Sequence, residues 1–159
     1  MNTDSGNNTA EAETIKRFKD GMFCAESVVL TLASRQGIES PLLPAMATGF
    51  CGGMGHTAGP CGALTGAIMG LGLAFGRAGP NDTTERTYKA VMSLVRQFTE
   101  EFGATGCVEL TGCHLGTPEG QRKFRQGKLY LRCMKITGRT AQIAADLIDA
   151  EQPQHTSAR

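Results

Sequence analysis

Apolar positions recur at helical spacing along most of the chain. A first short helix is predicted to open where Asn8 and Glu11 stand as a capping box, and to stop at Asp20-Gly21. A second runs from Met22 to Arg35 and closes at Gly37, with Cys24, Ser27, Val28 and Thr31 on one face. Pro41 and Pro44 punctuate a link to a small apolar turn ending at Phe50. A glycine-rich loop, Cys51-Gly-Gly-Met-Gly-His-Thr-Ala-Gly-Pro-Cys61, then feeds an uncharged, mostly apolar run from Gly62 to Gly76. Asp82 and Glu85 cap a long amphipathic helix over 83–102, whose expected stripe is Tyr88, Val91, Met92, Val95, Phe98 and Phe102, with Gly103 ending it. A short segment from Cys107 to His114 follows. Thr117-Pro118-Glu119 reads as an N-cap with proline at the first helical position, and a last helical region covers 129–150.

No alternating strand and no repeat interrupts this pattern. The prediction is therefore all-α: a single compact helical domain over 9–151, with five to six helices and tails at 1–8 and 152–159. No formally charged residue occurs from Ser40 to Gly76, which raises the question of a membrane span. Gly62, Gly66 and Gly70 even give tandem GxxxG spacing. The run after Pro60 is too short, too glycine-rich and without flanking anchors. A buried central helix accounts for it better: glycines on one face admit a close neighbour, either another helix of the chain or a second copy in a homodimer.

Composition then narrows the chemistry. The chain has 159 residues, 40% hydrophobic and 19% charged, with a net charge of +1, which gives no case for nucleic acid or an anionic membrane. Its N-terminus, Met1-Asn-Thr-Asp-Ser-Gly-Asn-Asn, lacks a basic n-region, an apolar h-region and twin arginines, so the expected location is the cytoplasm. Six cysteines exceed what packing requires in so short a chain. In a reducing compartment they point to metal binding or redox chemistry more than to structural disulfides.

The cysteines stand at 24, 51, 61, 107, 113 and 133, and none forms CxxC. Thioredoxin-type dithiols, zinc ribbons, c-type haem attachment and the bacterial ferredoxin run all lack their signatures. Only tertiary structure could bring these sulfurs together. The order of an isolated cysteine, a CGAxxG motif (Cys61-Gly62-Ala63-Leu64-Thr65-Gly66) and two later cysteines resembles the C_GCAxxG_C_C family of redox-active proteins. The resemblance spans about residues 15 to 150 and assigns the signature cysteines to Cys24, Cys61, Cys107 and Cys133. It implies cysteine-based redox chemistry in an electron-transfer setting, since a similar domain stands beside haems in some multidomain cytochromes. Cys51 and Cys113 are candidate additions.

Three chemistries remain open. Four cysteines would ligate an iron–sulfur cluster, with glycine-loop N–H groups available to its sulfurs. Thiol–disulfide exchange would use Cys24 and Cys61, the latter as a low-pKa nucleophile at a helix N-terminus. Structural zinc, or a helical interaction module with incidental thiols, completes the set. The cluster leads, because exchange needs only two cysteines and six invite a metal.

Other residues have plainer readings. His56 and His114 are loop histidines beside cysteines, each a ligand, a proton donor or a solvent-exposed residue. Met46, Met54, Met69 and Met92 are expected as core filler, and Glu26 and Glu109 as solvated helix residues. Seven basic residues between Arg122 and Arg139 (Arg122, Lys123, Arg125, Lys128, Arg132, Lys135 and Arg139) meet no acidic one. They form a solvated face or a docking patch for an acidic redox partner.

Overall fold

The computed structural model of the chain describes residues 9–151. Over them the chain forms nine helical segments and no strand: α1 (Ala10–Lys19), α2 (Cys24–Arg35), α3 (Leu42–Thr48), α4 (Cys51–His56), α5 (Gly62–Phe75), α6 (Glu85–Phe102), α7 (Cys107–Thr111), α8 (Pro118–Gln126) and α9 (Tyr130–Glu151). Six of these have nine residues or more. The excess over the expected count comes from α3, α4 and α7, single or double turns too short to leave a periodic signature. The tails predicted at 1–8 and 152–159, and Asn8 with them, lie outside the described residues. The cap of α1 is Thr9, whose Oγ1 accepts from the Ala12 N–H at 3.1 Å.

α5 is the hub, packed against α2, α6 and α9. Its glycine face is turned on α2. A Cβ at Gly66 would stand 2.6 Å from the Ala25 carbonyl oxygen and 2.9 Å from its Cα, and one at Gly70 would meet the Leu32 side chain. The stripe therefore serves an internal helix pair and is not left for a second copy of the chain. Ala63, Leu64, Ala67 and Leu71 of α5 join Val28, Leu32, Leu94 and Phe98 in the main core. Among the described residues no helix is long and apolar enough to cross a membrane.

The expected stripe of α6 needs correction. Ala90, Leu94 and Phe98 face the core, whereas Tyr88 is 64% and Met92 73% exposed. The contact line is set by a small residue that lets α6 approach, not by the largest apolar side chains. Asp82 does not cap α6 either: its Oδ2 accepts from the N–H groups of Ala78 and Gly79 in the preceding loop. Of the methionines expected inside, Met46 and Met54 are also exposed, and Met69 packs against the smaller cluster around Val29 and Ala47.

The α8 start is as anticipated, with Pro118 at the first position and Thr117 Oγ1 accepting from the Gly120 N–H at 3.0 Å. Thr117→Ala removes that partner and is expected to cost about 1 kcal/mol, read as a lower urea midpoint at unchanged slope.

Candidate functional site

Two pieces of local backbone build the site. The first is α4, which is not right-handed inside: Gly52, Gly53, Met54 and Gly55 have φ of 65, 72, 57 and 65°. His56 and Ala58 follow at 68 and 63°. A left-handed conformation costs roughly 1–2 kcal/mol for each residue with a Cβ, which glycine avoids. Three glycines thus make this turn accessible, and Met54, His56 and Ala58 adopt it at a cost. The Gly53 carbonyl closes it by accepting from the N–H groups of Thr57 and Gly59. Gly53 then abuts Cys107, where a Cβ would lie 2.5 Å from the Cys107 Cβ and 3.2 Å from its Sγ.

The second is an isolated antiparallel bridge between Pro60 and Gly106. The Cys61 N–H donates to the Thr105 carbonyl at 2.8 Å, and the Cys107 N–H to the Gly59 carbonyl at 3.0 Å. Cysteines 46 positions apart in sequence are pinned side by side through their own backbone amides. A single residue pair containing proline and glycine carries no strand signature, so the sequence did not reveal it.

Between these pieces lies a cavity of about 460 Å³ lined by Cys24, Cys51, Cys61, Cys107 and Cys133. All four signature cysteines thus reach one space, and Cys51 joins them. Cys113 is outside the lining; it is buried, and its N–H and Sγ both face Thr111 Oγ1. The remaining walls are largely apolar, with Phe18, Phe23, Leu110, Phe124 and Ile136, and Arg125 at the edge. His56 lines the cavity as well and is exposed, whereas His114 is a loop residue whose Nδ1 accepts from the Gly116 N–H. The aromatic walls have no sequence signal, since nothing local distinguishes Phe18 or Phe124 from core residues.

Cys24 and Cys51 form a closer pair within the lining. The Cys24 Sγ and the Cys51 Cα both press on Gly62, so any side chain there would collide with the sulfur. Glu26, expected on the surface, is only 8% exposed and explains the registration. Its carboxylate accepts from the Phe23 N–H at 2.8 Å and from Thr48 Oγ1 at 2.7 Å. That tie fixes the start of α2, which bears Cys24, against the end of α3, which leads to Cys51. Glu109, by contrast, is exposed as expected.

Cys51, Cys61, Cys107 and Cys133 are held protonated. Burial pushes Cys61 up to about 11, although the Ala63 and Leu64 amides at the start of α5 pull the other way. The helix N-terminus is where the sequence predicted it, yet desolvation outweighs the dipole, so Cys61 is not a low-pKa nucleophile. Burial and then the charges of Cys61, Cys107 and Cys113 push Cys133 up to about 12, against the pull of Arg132. Cys107 is raised chiefly by burial and then by Cys113. Cys51 is raised chiefly by its hydrogen bond with the Cys24 sulfur, then by burial. Because thiolate is the reactive form, alkylation of Cys61 in the metal-free protein should still be accelerating at pH 10, where an ordinary cysteine has levelled off above about 8.5. Iodoacetamide rates resolved by peptide mass spectrometry check this.

The fold and the cavity define a small all-helical protein organised around clustered thiols. The chain belongs to the C_GCAxxG_C_C family, whose description is "Putative redox-active protein (C_GCAxxG_C_C)" and whose model matches residues 22–147. No curated protein and no solved structure matches it.

Proposed function

We propose that the cavity holds an iron–sulfur cluster on the thiolates of Cys24, Cys61, Cys107 and Cys133, and that the protein carries electrons. The observation that supports this most is that these four, far apart in sequence, all line one largely apolar cavity. Thiolates are the donors such clusters take, and a largely apolar wall would bear on the potential. When bound, the cluster would supply a reversible electron site.

The chain's own residues do the rest. The Pro60–Gly106 bridge holds Cys61 and Cys107 at fixed separation. Burial keeps Cys61, Cys107 and Cys133 protonated until a cation displaces the protons, so loading would release them. Arg125 at the edge and Arg132 beside Cys133 would offset the negative charge of a thiolate-bound centre. A zinc tetrathiolate is less well matched. Zn–S bonds of about 2.3 Å put four sulfurs only about 3.8 Å apart. Among the described residues no group of three or more His, Cys, Asp or Glu is arranged to hold a metal ion. A four-iron cluster would take one thiolate on each iron and so would not need the four sulfurs to meet at a single ion.

The partner we propose is a redox protein with an acidic face. Arg122, Arg125, Lys128, Arg132 and Lys135 are exposed along α8, the turn after it and α9, with Arg125 lining the cavity, while Arg139 pairs with Glu101 at 2.9 Å. Anaerobic purification followed by an absorption spectrum and iron and acid-labile sulfide analysis tests the cluster. Visible charge-transfer bands with matched iron and sulfide are expected. A colourless, iron-free protein that stays so after reconstitution contradicts it.

A further inference from the structure

We propose that Cys24 and Cys51 form a dithiol/disulfide couple inside the cavity, oxidised by hydroperoxides, which removes Cys24 from the ligand set when oxidised. The disulfide rests on geometry alone; only its effect on the cluster rests on the function proposed above.

Among the six thiols these two are arranged differently from the others. Cys24 Sγ and the Cys51 backbone meet over the same Gly62, and the Cys51 thiol, which donates to the Ala47 carbonyl at 3.8 Å, has the Cys24 sulfur as its chief electrostatic neighbour. Glu26 holds the two chain segments together through Phe23 and Thr48. Cys51 stands at the head of the left-handed turn, next to Gly52 and Gly53. Cys61 and Cys107 are instead each tied at the amide by the bridge, and Cys113 faces Thr111. Forming a disulfide requires two sulfurs to close to about 2 Å, so the pair that converges over Gly62 forms first.

Exposure sets the order of events. Cys24 is half-buried at the start of α2, whereas Cys51 is buried beside it. The Cys24 sulfur attacks a peroxide oxygen and breaks the O–O bond; with hydrogen peroxide this leaves Cys24 as a sulfenic acid and releases water. The Cys51 sulfur then attacks the Cys24 sulfur. The S–O bond breaks, the S–S bond forms and a second water leaves. Two thiols give up two electrons and two protons, and one hydrogen peroxide becomes two waters. Reduction by a dithiol reverses the couple through a mixed disulfide.

The test uses the reduced, metal-free full chain and one equivalent of hydrogen peroxide, followed by alkylation and peptide mapping. The dominant cross-linked peptide is expected to join Cys24 to Cys51, with the other four cysteines alkylated. In Cys51→Ser, dimedone is expected to trap the sulfenic acid at Cys24. Iron uptake by the oxidised chain should fall at least about tenfold, since disturbing even a group behind the ligands costs that much, and recover after dithiothreitol. A first disulfide between any other pair overturns the proposal, as does alkylation of both Cys24 and Cys51 after two thiols are lost, or a dimedone adduct elsewhere. If even the reduced wild type takes up no iron, the cluster fails while the peptide map still decides the couple.

Discussion

Replacing Gly53 by alanine is expected to destabilise the protein by about 3 kcal/mol, combining roughly 1–2 kcal/mol for a left-handed alanine with the overpacking of a filled site. At φ 72° the new Cβ would stand 2.5 Å from the Cys107 Cβ. Gly55→Ala is the control: φ is 65°, but the nearest atom to its Cβ is the Gly49 carbonyl oxygen at 3.7 Å. It incurs the conformational term alone, about 1 kcal/mol. Urea denaturation of the two variants separates backbone strain from steric conflict at the site. Because the Gly53 conflict is with Cys107 itself, only Gly53→Ala should also impair iron uptake. Equal losses in both variants would mean that the tight approach of the turn to Cys107 is wrong.

The second large effect is at the α2–α5 seam. Gly66→Ala gains about 1 kcal/mol of helix propensity but meets the Ala25 backbone, which cannot rotate away, at 2.6 Å. Overpacking of this kind costs up to about 3 kcal/mol, for an expected net loss of about 2 kcal/mol. Gly72, in the same helix, has nothing within 4 Å of its Cβ position. Gly72→Ala is therefore expected to stabilise by about 1 kcal/mol. Opposite signs for the same substitution two turns apart on one helix are the signature of a glycine face spent on a neighbour. A shared sign would place α2 elsewhere.

What the sequence disclosed follows from how far each signal reaches. α5 was legible because an uncharged run bounded by Pro60 and Gly76 has only a few structural solutions, and its glycine spacing already implied a close helix neighbour. The α6 stripe was misjudged at Tyr88 and Met92 because side-chain size was read as burial, while the fold turns Ala90 inward. The candidate cysteines were legible as a set, from their number and their signature order. Their grouping was not. It depends on a one-pair bridge, a left-handed turn and the buried Glu26 carboxylate, each of which joins segments distant in sequence. Glu26 looked like a surface residue because its first partner is the Phe23 amide three residues back, and its second, Thr48, lies 22 residues ahead. The helix-terminal position of Cys61 was visible in Pro60-Cys61-Gly62, but its desolvation was not, and desolvation decides its protonation.

The central claim is that the thiols of the cavity hold one redox centre. Electron paramagnetic resonance of the anaerobically purified protein, recorded before and after dithionite, tests it most directly when wild type is set beside Cys133→Ser and Cys113→Ser. The account predicts a paramagnetic iron–sulfur signal in one of the two redox states of wild type. It should be retained in Cys113→Ser, whose cysteine is outside the cavity lining, and lost or shifted in Cys133→Ser. No signal in either wild-type state together with no iron, or a signal unchanged in Cys133→Ser, would contradict it.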